Sequence, residues 1–128
     1  MRTAIKYLWP LPVTAAGLML AGLIRLTGGS VRVVEGAVEA WGGVAKWIFE
    51  RGLAGKAACM TIGHVIIGLA EHHLARMRLH EHVHVRQYEK WGVLFVPLYL
   101  ASSFIAWMQG RNCYRDNVFE REAYRLHP

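Results

Sequence analysis

Two stretches of eighteen residues without a charge, Tyr7–Ile24 and Trp91–Met108, limit what this chain of 128 residues can become. A helix of that length measures about 27 Å at 1.5 Å per residue, close to the ~30 Å hydrocarbon core of a bilayer. Each stretch must therefore meet lipid or bury itself against other elements. Pro10 and Pro12 fall at the start of the first, where a helix tolerates proline best, which leaves Val13–Leu26 as its clear helical part. The Arg2/Lys6 flank has the charge of a signal-peptide n-region, but no convincing small-residue cleavage site follows it. Residues 7–26 are thus expected to form an uncleaved hydrophobic anchor or an interfacial helix.

Between the two stretches the pattern changes. Thr27-Gly28-Gly29-Ser30 is a turn signal. Val31, Val33, Val34, Val38 and Trp41, interrupted by Glu35-Gly36, predict two short strands in a hairpin. Val44–Glu50 has no decisive pattern, and 51–56 reads as a loop. Thr61, Ile62, Val65, Ile66 and Ile67 predict one buried strand within 57–68. Helical spacing runs from Leu74 to Trp91, and Gly92 ends it. The expected fold is α+β: a small sheet, a hairpin plus one strand, packed on the 74–91 helix, with an N-terminal hydrophobic helix and a second apolar helix. A single domain is expected over 1–128, with the hydrophobic helix at 7–26, a β-rich part at 27–68 and a helical part at 74–128.

The formal charge is +6, yet the arginines are dispersed and no nucleic-acid motif accompanies them. A basic chain that is 54% hydrophobic is expected to partner membrane lipid with an anionic surface, and not nucleic acid. Cys59 and Cys113 form no C-x-x-C pair and read as unpaired core thiols.

The chemistry is concentrated in His80-Glu81-His82-Val83-His84, which has the form H-E-x-x-H. Two histidines four apart on a helix project from one face, so their imidazoles can bind one metal ion. The glutamate between them is placed to take a proton from a water that the metal activates. A catalytic site of this kind wants a third protein ligand and one open position. Glu120, 36 residues beyond His84 in Glu120-Arg121-Glu122-Ala123, offers a carboxylate. Asn117 and Glu120 also have the spacing of a helix capping box, which is the bland alternative for Glu120. Glu122 is a rival ligand, though it points roughly 200° away from Glu120 on a helix.

Together the two segments resemble the gluzincin type of zinc metallopeptidase, in which H-E-x-x-H is followed by E-x-x-A on a neighbouring helix. The resemblance implies Zn²⁺ as cofactor, His80, His84 and Glu120 as its ligands, and Glu81 as the base. It further implies a peptide or protein substrate, hydrolysed by a zinc-activated water. Gly63–Tyr124 is also similar to a group of small, uncharacterised bacterial membrane-associated proteins. That implies a location at a bacterial membrane, on a side the sequence does not give. By the same resemblance, the strand around Thr61–Ile67 is expected to pair with an extended substrate. Tyr124 stands where many gluzincins carry Asp or Asn to orient a ligand, leaving the Tyr124 hydroxyl, Glu122 or Asp116 for that task.

His64, Tyr114, Arg121 and Tyr124 are candidates for substrate or oxyanion contacts. His82 points away from the other two motif histidines and is expected at the surface, as are His72 and His73 ahead of the helix. The rival reading is a non-catalytic membrane protein whose metal, if any, staples two helices. A closed site of that type needs a fourth ligand, for which His64 and His127 are available. A shared metal also restricts topology. Residues 84 and 120 must meet, so 93–108 cannot cross a bilayer once and is expected as a buried, interfacial or re-entrant helix. Arg76, Arg78, Glu81, Arg86, Glu89 and Lys90 keep the motif helix itself out of lipid.

Overall fold

The structure, a computed structural model, describes residues 5, 7–52 and 58–126. Helix α1 (Leu11–Leu26) leads into strands β1 (Ser30–Val34) and β2 (Ala37–Trp41), followed by helix α2 (Gly43–Glu50). Strands β3 (Cys59–Ile62) and β4 (Val65–Gly68) precede the long helix α3 (Glu71–Trp91). A 3-10 turn at Gly92–Leu94 then joins α3 to helix α4 (Phe95–Met108), and helix α5 (Val118–Leu126) ends the described chain. The architecture is α+β, with a short apolar helix near the N-terminus and a long apolar helix after the sheet.

The sheet has four strands in the order β1-β2-β4-β3; β2 and β4 run parallel, and the two outer pairs are antiparallel. Here one expectation needs correction. The stretch 57–68 is not a single strand beside a hairpin but a second hairpin, with Ile62 opposite Val65. Its two-residue turn is Gly63-His64, with Gly63 at φ 65°. A positive φ at the first central residue is what a type II′ hairpin turn requires, and glycine adopts it without steric cost. Any Cβ on Gly63 would also run into Thr14 of α1, so the turn and the helix touch backbone to side chain. The hairpin at 30–41 forms as its pattern predicts, turning at Glu35-Gly36 with Val34 opposite Ala37. Val44–Glu50, ambiguous by pattern, is helical.

Strand alternation sends side chains to two layers. Val65, Ile67 and Ala40 face α1 and α2, where they bury with Ala21, Ile24, Ala45 and Phe49. Ile66, Ala37 and Cys59 face α3 and bury with Leu74 and Val85. Helix α1 reaches the sheet because its inner stripe is small: Thr14, Gly17 and Ala21 are buried there with Ile24. A Cβ on Gly17 would lie 2.8 Å from the Ile62 carbonyl oxygen. Its outer residues Leu18, Met19, Leu23 and Leu26 remain exposed, so α1 is half core and half apolar surface.

On the α3 face of the sheet, Glu39 is fully buried and held by two guanidinium groups. Arg32 Nε donates to it at 2.9 Å, and Arg78 donates twice, at 2.9 and 3.1 Å. Burial opposes ionisation of Glu39, but Arg78 and then Arg32 hold its carboxyl below the ordinary range. Burial also pushes the Cys59 thiol up to about 12, which keeps it protonated in the core. Cys113, expected in the core as well, is exposed.

Gly92 breaks the helical run between α3 and α4. Its φ of 60° and ψ of −138° leave the helical region, and the Trp9 ring covers the space a side chain would need. The run Glu71–Met108 contains an eighteen-residue window long and apolar enough to cross a membrane, though core helices of soluble proteins pass the same test. Only 17% of that window is buried. Helix α4 carries most of the exposure: Leu100, Phe104, Ile105, Trp107 and Met108 all point outward. It is therefore not a buried helix.

Candidate metal centre

Helix α3 carries two working faces about 120° apart. At 100° per residue, His80, His84 and Gln87 fall within one narrow sector, while Leu74, Arg78, Glu81 and Val85 cluster in the next. The second sector rests on the sheet. Thr61 of β3 donates its hydroxyl to the Glu81 carboxylate at 2.7 Å. The first sector meets α5, where Glu120 Oε1 lies 3.2 Å from His80 Nε2 and 3.1 Å from His84 Nε2. One ligand atom from each of His80, His84 and Glu120 lies within 4.8 Å of the others, and this group can hold a metal ion. The three side chains are 3%, 5% and 4% exposed. Among the described residues no further His, Cys, Asp or Glu joins them.

Folding brings Glu120 there by a local route. Asn117 is buried and donates to the Tyr99 carbonyl and to Ser103 Oγ, while Ser102 Oγ accepts from Val118 N–H. These bonds seat the first turn of α5 against α4. Asn117 Oδ1 also accepts from Phe119 N–H, so the capping half of the bland reading is present. Glu120 does not complete that box, because its carboxylate turns to the histidines. Tyr99 donates to Glu120 Oε2 at 2.7 Å, so both oxygens are engaged.

The charges follow from this packing. Burial opposes ionisation of Glu120, but the bonds from His80 and His84 bring its carboxyl down to about 2. Burial likewise disfavours a charged His84, yet the Glu120 carboxylate raises that imidazole to about 9. Without metal, therefore, Glu120 and His84 stand as an ion pair at neutral pH. Glu81 differs. Burial raises its carboxyl, which the His84 charge and the Thr61 hydroxyl only partly oppose.

Other candidate residues fall into place around this group or away from it. The Tyr124 ring packs on His80 with centroids 4.5 Å apart, while its hydroxyl meets that of Tyr114 at 3.2 Å and no ligand. Asp116 pairs with Arg111. Glu122 is exposed and accepts from Gln87 at 2.9 Å, so neither rival carboxylate reaches the histidines. Arg121 is exposed and lines an outer groove of about 380 Å³ between α4 and α5, which His80, His84 and Glu120 do not border. His64 lies in the turn between β3 and β4. It pairs with Glu89 at 2.9 Å, donates its backbone N–H to Thr14 Oγ1 and packs on the Tyr7 ring, so it joins no ligand group. His127 lies outside the described residues, as do Arg2 and Lys6.

His82 needs correction. It is 7% exposed, not at the surface, and its Nε2 has no hydrogen-bond partner among the described residues. Burial lowers its pKa, so it sits there as a neutral ring. His72 and His73 lie within α3 and not ahead of it; His72 is exposed and His73 half-buried. Strand β4 is paired on both sides, which leaves β3 as the only free edge within Thr61–Ile67.

Two further residues take part to which the sequence assigned no role. Tyr99 comes from an uncharged stretch, where nothing local distinguishes it from its apolar neighbours. Gln87 accepts from His84 Nδ1 through Oε1 at 2.8 Å, and its signal was the i+3 spacing from His84. Comparison with known proteins finds no matching family model, no matching curated protein and no matching solved structure.

Proposed function

We propose that the chain is a membrane-associated zinc metallopeptidase of the gluzincin type. The observation that carries this reading is the meeting of His80, His84 and Glu120 at one buried point, with Glu81 on the adjoining face of the same helix. Donors of a tetrahedral zinc at 2.0–2.2 Å stand about 3.4 Å apart. The 3.1 and 3.2 Å separations from Glu120 Oε1 are close to that, and two imidazoles with one carboxylate suit the ion. Three protein ligands without a fourth among the described residues favour an open position over a closed structural site.

A bound zinc supplies a water acidified towards pKa 7 and polarises the scissile carbonyl. The protein does the rest. Glu81, whose pKa is raised by burial, accepts the proton of the attacking water and returns it to the leaving amine. Thr61 holds the Glu81 carboxylate in place through its hydroxyl and links the base to the edge strand β3. An extended peptide added to that edge would pass beside the base. All three ligands are buried, and Phe95 and Tyr99 of α4 lie against His84. The exposed apolar residues of α1 and α4 support contact with lipid while α3 stays outside it.

Metal analysis of wild type beside Glu81→Gln, with a broad peptide library, tests the reading. Wild type should carry about one zinc and cleave peptides. Glu81→Gln should keep the zinc and lose turnover by about 10²–10⁴-fold, since the amide cannot accept a proton. Undiminished cleavage by the variant, or wild type without zinc, would sink the proposal.

A further inference from the structure

We propose that Gln87 is the positioning residue of this centre: it fixes the tautomer of His84 and ties that choice to the seating of α5. The inference rests on the metal reading above and deepens it. Gln87 is buried and uses every polar position of its amide. Oε1 lies 2.8 Å from His84 Nδ1, and Nε2 lies 3.1 Å from the Phe119 carbonyl oxygen and 2.9 Å from Glu122 Oε1.

The orientation of the amide follows from its neighbours. A carbonyl and a carboxylate can only accept, so the two N–H groups of Gln87 must face Phe119 and Glu122. Rotated by half a turn, the amide oxygen would confront two acceptors and the amide nitrogen would abut His84. Oε1 therefore faces His84, and His84 Nδ1 must carry the hydrogen between them. The lone pair needed for a metal is then confined to Nε2, the atom 3.1 Å from Glu120. A ligating histidine is commonly oriented through its second nitrogen by a carboxylate or carbonyl. Here a side-chain amide on the same helix does it, one turn beyond the ligand.

The clamp also joins the two ligand-bearing helices. Gln87 holds His84 of α3 on one side and the backbone of α5 on the other, next to Glu120. Glu122, a rival ligand by sequence, becomes the anchor of the orienting group. Tyr124, standing where an Asp or Asn would orient a ligand, then has no such task to perform. His80 has no equivalent, since its Nδ1 is buried without a hydrogen-bond partner among the described residues. The centre is thus preset on one histidine only.

Histidine ring spectra of ¹⁵N-labelled protein, with and without zinc, read the tautomer directly. In wild type the His84 Nδ1 hydrogen should be present and slow to exchange in both states, with no proton on Nε2 once zinc is bound. Gln87→Leu should expose that hydrogen to exchange and weaken zinc binding by about 10–100-fold, with helical content unchanged. The exchange variant Gln87→Glu/Glu122→Gln keeps an acceptor for His84 and a donor between the helices but gives up the bond to the Phe119 carbonyl, so it should recover the slow Nδ1 hydrogen and part of the affinity. Zinc on His84 Nδ1 in wild type, or wild-type affinity in Gln87→Leu, overturns the role of Gln87. If Gln87→Leu does not fold, an exchange variant that folds but has lost the slow Nδ1 hydrogen and its zinc does the same. Wild type that binds no zinc, with the Nδ1 hydrogen intact, instead overturns the metal reading, so the two failures are separable.

Discussion

Glu39 and Glu120 are both buried carboxylates held by two nitrogenous partners, and both are driven towards the ionised form against the cost of burial. Their partners differ in one respect that decides what each can do. Glu39 is gripped by Arg32 and Arg78, which cannot lose a proton under ordinary conditions. Its charge balance is permanent, and the cluster ties β1, β2 and α3 together. Glu120 is gripped by imidazoles, which can give up protons and accept a metal in their place. The same arrangement is thus a fixed fastening at one site and an exchangeable one at the other. Burial of a charged group does not by itself mark function; the chemistry of what neutralises it does.

Removing each carboxylate separates the two roles most sharply. Glu120→Ala should lower zinc affinity by more than the 10–100-fold typical of outer-shell changes, because it deletes a proposed ligand. Glu39→Gln should leave zinc affinity unchanged and instead lower unfolding free energy by about 2 kcal/mol. That is below the 3–5 kcal/mol of fully buried pairs, since both guanidinium groups are partly exposed to solvent. Calorimetric zinc titration and denaturant unfolding of both variants check this. Zinc loss in Glu39→Gln as deep as in Glu120→Ala would erase the distinction.

The response to pH is the next largest effect. His84 is raised from its ordinary 6.5 to about 9, so its pairing stabilises the metal-free protein fully below 6.5 and fades as pH rises through 9. Glu120 is lowered from about 4.5 to about 2, so its share is present above 4.5 and fades as pH falls through 2. Metal-free protein should gain most from this pair between about pH 4.5 and 6.5. Zinc must displace the His84 proton, so its affinity should rise roughly tenfold per unit from pH 6.5 towards 9. Melting curves with zinc and with chelator across that range should diverge as pH increases; parallel curves would mean His84 is not a ligand.

Tyr99→Phe gives the finest test. It removes one donor from Glu120 and nothing from Glu39, and a bond to a charged group contributes about 1.5 kcal/mol. Zinc affinity should change about tenfold while stability conferred by the arginine cluster stays put. An unaltered affinity would show that the imidazoles alone hold Glu120.

Short-range regularities carried much of this into the sequence. His80 and His84 are recognisable because i,i+4 spacing fixes a shared helix face whatever surrounds it. Glu120 was reached through the E-x-x-A resemblance, since spacing alone left it open between capping residue and ligand. The first hairpin announces itself by Glu35-Gly36 between two valine-rich runs. The second does not, because Gly63-His64 sits inside a nearly unbroken apolar stretch whose turn depends on one glycine torsion. Tyr99 and the burial of His82 were hidden for a different reason. Each depends on which side of a helix another element covers, and that element lies well away along the chain. Glu39 shows the same limit: an acidic residue in a strand reads as solvent-facing until Arg78, 39 residues on, closes over it.

Helix α4 is a wall one helix thick, about 10 Å across, with Tyr99 on its inner side and Leu100 and Phe104 on its outer side. Whatever medium touches the outer side therefore sets the dielectric a single helix diameter from Glu120. Water there damps the attraction between Glu120 and His84, whereas hydrocarbon would strengthen it. Hydrocarbon also raises the cost of burying the His84 charge, so the pH at which that imidazole gives up its proton should differ between detergent micelles and the micelle-free protein. Histidine titration followed by NMR in the two media would measure that difference, and identical curves would show that α4 screens the centre completely.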